Sequence, residues 1–270
     1  MDSNRRSVAI RPQATIDLDP EANYISVLGA GPRVNEKSTL TVLDRVQEVK
    51  RQVEVACLKA NRVVDEVTIL AASKTRSVEQ IQAVRDHGIA DFGENYLQDA
   101  TPKVQALSDS NIGWHFIGRI QSNKTRLIAE HFDWVQTVDR ISIAERLSRA
   151  RMQSRRSDQP LNVCIQVNID REHQKGGVMP DALMDLVSGI RDVPGLDLRG
   201  LMAIPRAPAQ GEGTGTRPAF RSLRDLFKLV NDEQLTNWDT LSMGMSMDFK
   251  EAIEEGSTMI RLGTSLFGPR

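Results

Sequence analysis

The sequence predicts a (β/α)8 barrel, on three observations. From about residue 37 onward, short apolar runs alternate with segments of helical period. There are eight such runs, each but the last followed by a helical segment. Lys, Asn, Arg, Ser, Thr and Gly gather at the C-terminal ends of the runs, where barrels of this kind build their sites. An open doubly wound sheet shares the alternation and remains the alternative, because alternation alone does not say whether a sheet closes.

Residues 1–36 lack a periodic pattern and are rich in turn formers, so they are expected to be a flexible extension of a single domain at 37–270. Within the extension, YISVLGAGPR (24–33) resembles the opening of a dinucleotide fingerprint. Val34 stands where the third glycine belongs and Pro32 disturbs the turn, so a loop is the better reading. Apolar residues at Val42, Val46, Val49, Val53 and Ala56 predict a leading helix over 40–60, an addition to the barrel. Strands are expected at 67–73, 89–93, 113–118, 134–138, 161–168, 196–204, 240–244 and 258–262. Ser77 and Gln80 form a capping-box pattern opening the helix after the first strand, and His87-Gly88 reads as its stop. The Gly- and Pro-rich connection 205–218 is expected to be mobile.

The balance of charges narrows the partners. A net charge of −1 suggests neither a nucleic-acid footprint nor a membrane-surface field. The basic run RARMQSRR (149–156) ends a helical pattern and reads as solvated surface charge. Cys57 and Cys164 belong to no C-x-x-C pair, which argues against a disulfide framework and a zinc site and fits a reducing cytoplasm. No apolar run approaches the length of a membrane span, and no apolar core follows Arg5 and Arg6 to make a secretory signal. His115 lies in a strand, where a satisfied buried imidazole is the expected role; His87, His131 and His173 read as helix-end or surface groups.

The first strand ends in VTILAASKTR (67–76), an apolar run that delivers Lys74 to the C-terminal end. A strand-end lysine is usually a solvated charge, but a desolvated one is a nucleophile for Schiff-base chemistry. Loops after the seventh and eighth strands of such barrels commonly bind phosphate, and here they read SMGMS (242–246) and RLGT (261–264). Turns alone would also favour Gly and Ser. An amine facing a phosphate site suggests a phosphate ligand bearing an aldehyde.

Seven segments in order, AASKT (71–75), FGENY (92–96), WHFIG (114–118), IQSNK (120–124), LRGLMAI (198–204), LSMGMS (241–246) and GSTMIRLGT (256–264), resemble the pyridoxal phosphate homeostasis proteins. The resemblance implies the barrel of the alanine racemase N-terminal domain, holding pyridoxal 5′-phosphate (PLP) as an internal aldimine on Lys74. It implies phosphate binding by Ser242, with Gly244, Gly263 and Thr264 nearby, and Arg261 against the ring nitrogen. Asn95 and Asn168 are candidates for lining the ring, though either would equally serve strand-end backbone groups. Glu94 is read as an acid/base group or a structural partner of Lys74 or Arg119. Many relatives have leucine where this chain has Ile120, after Arg119, so that loop departs from the family pattern.

The expected function is a cytoplasmic PLP carrier in vitamin B6 homeostasis and amino-acid balance, without demonstrable catalysis. PLP-dependent apo-enzymes are the expected acceptors, with no nucleic acid, membrane or metal, and the chain is expected to be a monomer or weak homodimer. A PLP-dependent racemase is the alternative, and a cofactor-free Schiff-base aldolase a more distant one. The sequence ends at Arg270 soon after the last strand, so the second domain that completes racemases of this fold is expected to be lacking.

Overall fold

Parallel strands that alternate with helices can bury both faces only if something covers each of them. Here a computed structural model shows the closed solution. It describes residues 40–206, 215–231, 235 and 237–269. The strands are β1 (Thr68–Ala72), β2 (Asp91–Glu94), β3 (Gly113–Phe116), β4 (Trp134–Val138), β5 (Leu161–Gln166), β6 (Leu196–Met202), β7 (Thr240–Met245) and β8 (Met259–Leu262). They pair in sequence order, and β8 returns to β1 through Thr68↔Met259 and Leu70↔Arg261. The open-sheet alternative is thereby excluded. The expected extension lies outside the described residues, as does most of the 205–218 connection.

The helices among the described residues are α1 (Val42–Lys59), α2 (Val78–Asp86), α3 (Leu97–Ala106), α4 (Thr125–His131), α5 (Ile141–Met152), α6 (Leu183–Ile190), α7 (Arg217–Asn231), α8 (Phe249–Glu254) and α9 (Thr264–Phe267). Helix α1 starts on a Thr41/Asp44 capping box and buries Val46, Val49, Val53, Ala56 and Cys57. It lies against α2, α8 and α9, and so adds cover over the β8–β1 closure. The Ser77/Gln80 box opens α2, and Gly88 ends it at φ +84°, a left-handed conformation that suits glycine.

Two expectations need correction. A helix does follow the last strand: α9 is a single turn, too short to leave a period in the sequence. The basic run at 149–156 is not all solvated. Arg151 is 1% exposed and donates to the carbonyls of Ala129, Phe132 and Gln159, closing the end of α4. Burial pushes its guanidinium down to about 10. No helix among the described residues is long and apolar enough to cross a membrane.

Candidate binding site at the C-terminal mouth of the barrel

Strand β1 hands Lys74 to a tight turn. The Ser73 carbonyl accepts from Arg76 N–H at 2.9 Å, and Thr75 between them sits at φ +65°. That is the left-handed corner of a type II turn, where glycine is the usual residue. The turn is clamped from β2 and α3. Ser73 Oγ donates to Glu94 Oε1 at 2.6 Å, and Lys103 Nζ donates to Glu94 Oε1 at 2.8 Å and to the Ser73 carbonyl at 3.0 Å. Glu94 is fully buried, and its Oε2 has no hydrogen-bond partner among the described residues. Its structural partner is therefore Lys103, in place of the Lys74 or Arg119 that the sequence suggested.

Lys74 is half-buried on the wall of a cavity of about 630 Å³, and it makes no hydrogen bond or ion pair with the described residues. Arg261, Gly263 and Thr264 line the same cavity. Arg261 is 5% exposed and is anchored by Nη1 to Ser242 Oγ at 2.7 Å and by Nη2 to the Ala203 carbonyl at 2.8 Å. Burial pushes its guanidinium down to about 10, with the Asp248 carboxylate opposing that shift, so the group stays a cation at neutral pH. A guanidinium has five N–H donors, and three remain after these two contacts. Thr264 is exposed at the first position of α9, directly after Gly263.

The other candidates lie elsewhere. Ser242 is fully buried behind Arg261, and its hydroxyl donates to Gln136 Oε1 at 2.7 Å while accepting from Arg261. Ser246 of the same motif lines the cavity instead. Gly244 is inside β7 at φ +95°, and a Cβ there would sit 2.5 Å from Ala252 Cβ, so it serves the packing of α8. Asn95 faces a separate cavity of about 560 Å³ with Arg119 and Lys124. Asn168 satisfies backbone: its amide donates to the Glu172 carbonyl at 2.8 Å, and its oxygen accepts from Glu172 N–H at 3.0 Å.

Asp248, Glu251 and Met247 also border the Lys74 cavity, and the sequence reading passed over them. A usable signal existed, since MSMD continues the seventh strand's loop into the next helix and Asp248 is the residue before α8. His115 is buried, as expected of a satisfied imidazole. Chemically, the cavity sets an amine unpaired among the described residues and a buried cation beside a glycine-threonine loop, an arrangement suited to a small anion with an electrophilic carbonyl.

Comparisons with known proteins agree with this chemistry. The alanine racemase N-terminal domain matches residues 50–270. A pyridoxal phosphate homeostasis protein of Pseudomonas aeruginosa is 46% identical over 230 residues, which cover 85% of this chain and 96% of the relative. One from Pasteurella multocida is 44% identical over 237 residues, covering 86% and 98%. The structure of PipY of Synechococcus elongatus, solved with PLP bound, superposes with a TM-score of 0.72 at 30% identity and covers 84% of this chain and all of PipY. With the barrel closed, the strand-end lysine in place and relatives of this identity matched almost end to end, the chain belongs to the pyridoxal phosphate homeostasis protein family, built on the N-terminal barrel of the alanine racemases.

Proposed function

We propose that this chain binds pyridoxal 5′-phosphate as a Schiff base on Lys74 and holds it for vitamin B6 homeostasis and amino-acid balance. The observation that carries the reading is Lys74 itself: an amine with no hydrogen-bond or ion-pair partner among the described residues, on a hydrogen-bonded turn, sharing one cavity with a buried cation. The relatives' name and the PLP in PipY support it. The donor set fits the group. Lys74 supplies the amine for the aldehyde, Arg261 has N–H donors free for the ring nitrogen, and Thr264 with Ser246 offers hydroxyls to the phosphate. Ser242 would act through Arg261, and Gly244, Asn95 and Asn168 would keep the structural places described above.

The binding unit is residues 37–270, the compartment the cytoplasm, and the state a monomer or weak homodimer that passes PLP to apo-enzymes. Borohydride reduction of the PLP-loaded protein, followed by peptide mapping, tests the reading. The adduct is expected on the peptide holding Lys74, both in the full chain and in one starting near Glu36. In Lys74→Ala the visible band is expected to vanish while the fold persists, because a cavity-wall side chain is not a core one. An adduct on another lysine with Lys74 free defeats the assignment. A colourless protein that takes up no PLP favours the aldolase instead.

A further inference from the structure

A file of buried polar side chains runs through the barrel from Arg261 to its opposite end. Arg261 Nη1 donates to Ser242 Oγ at 2.7 Å, and Ser242 Oγ donates to Gln136 Oε1 at 2.7 Å, crossing the interior from β7 to β4. Gln136 Nε2 meets His115 Nδ1 at 2.9 Å, and His115 Nε2 meets Asp91 Oδ1 at 3.0 Å. Ser242, Gln136 and His115 are fully buried, and the Asp91 side chain, at the start of β2, is 30% exposed. A Cβ at Gly113 would lie 2.5 Å from Asp91 Oδ1, so the glycine leaves that carboxylate its place.

The two ends fix the sense of every bond between them. A guanidinium can only donate and a carboxylate can only accept. Hydroxyl, amide and neutral imidazole each do both. With a neutral imidazole only one arrangement satisfies all four links: every donor points away from Arg261, and His115 carries its proton on Nε2. Gln136 has an independent reason to lie this way, since its Nε2 also points at Met259 Sδ, an acceptor, at 3.0 Å. Reversing the amide would set its NH2 against Ser242 Oγ and leave the serine proton without an acceptor.

We propose that Asp91, His115 and Gln136 are positioning residues for the cofactor: this one-way chain fixes the acceptor that Ser242 offers Arg261, and so aims the buried guanidinium at the PLP ring nitrogen. The proposal rests on the PLP reading above. Hydrogen bonds in such a chain polarise one another, and the negative end at Asp91 favours the positive end at Arg261. Among the described residues no carboxylate hydrogen-bonds Arg261 directly, though the charge of Asp248 also favours the cation.

Two measurements test it. In the cofactor-free full chain, long-range NMR correlations of the His115 ring nitrogens are expected to show the neutral Nε2–H form. The Nδ1–H form or an imidazolium overturns the chain whether or not the protein binds PLP. In PLP titrations, Gln136→Leu cuts the chain with little change of volume. Its affinity is expected to fall about tenfold and the visible band to move, as when a charged donor loses its oriented acceptor. Asp91→Asn keeps an acceptor for His115 and is expected to keep the tautomer. A Gln136→Leu protein that melts lower but binds PLP with unchanged affinity and band makes these residues core packing only. A wild type that takes up no PLP sinks the PLP reading, while the NMR result still decides the chain.

Discussion

A buried carboxylate holds the Lys74 turn, and Lys103 is what makes its burial tolerable. Glu94 is fully buried with one oxygen unpartnered, so its charge leans on Lys103 Nζ and Ser73 Oγ. Removing one partner of such a pair leaves an uncompensated buried charge. Lys103→Met is therefore expected to cost about 3 kcal/mol in denaturant unfolding, and to weaken PLP binding because the Ser73 carbonyl loses a donor. Adding Glu94→Gln should recover much of the stability. A single variant as stable as wild type would show that the pair is not what holds the turn. Sequence reasoning reached Lys74 because an apolar strand ending in an amine is unusual, but it could not find Lys103, whose partners come from other elements. Of the two serines of SMGMS it named Ser242, whereas Ser246 is the one that lines the cavity. Ser242 and Ser246 are four residues apart, and only the point where β7 ends tells which lies outside the strand.

At the scale of elements, the turn after β1 carries the clearest backbone strain. Thr75 is β-branched and sits at φ +65°, where a non-glycine residue costs of order 1–3 kcal/mol. Thr75→Gly would relieve that strain but give the unfolded chain more freedom at a cost of up to about 1 kcal/mol, so stability should rise by roughly 0–2 kcal/mol. PLP affinity is expected to fall, because the turn that presents Lys74 loses its stiffness. A stability loss well beyond that size would mean the Thr75 side chain packs in a way its exposure does not show. Much of this scale was legible beforehand. The capping box at Ser77, the Gly88 stop and the span of β4 all follow from local chemistry. One miss is non-local and one is a matter of length. Arg151 reaches carbonyls around the end of α4, and the one turn of α9 is too short for periodicity.

For the whole molecule, the question is what a barrel shared with racemases would do with PLP in this cavity. PLP weakens bonds at an amino-acid α-carbon by drawing electrons into its ring, and a protonated ring nitrogen deepens that sink. In the proposed site Arg261 would face that nitrogen and so govern whether it is protonated. Its guanidinium, at about 10, is a cation through the neutral range and opposes a second positive charge beside it. The fold offers it no escape: one N–H is committed to Ser242 and another to the Ala203 carbonyl. Because the guanidinium loses its proton only as pH approaches that value, the shallow sink should persist unchanged from mildly acid to mildly alkaline solution. Racemase, transaminase and decarboxylase turnover of the PLP-loaded protein is therefore expected to be slow or undetectable, while PLP remains transferable to an apo-enzyme. Steady racemisation of a common amino acid at rates of roughly 1 per second or more, the ordinary enzymatic range, would mean that proton transfer within the cavity overcomes the shallow sink and that the protein is a racemase.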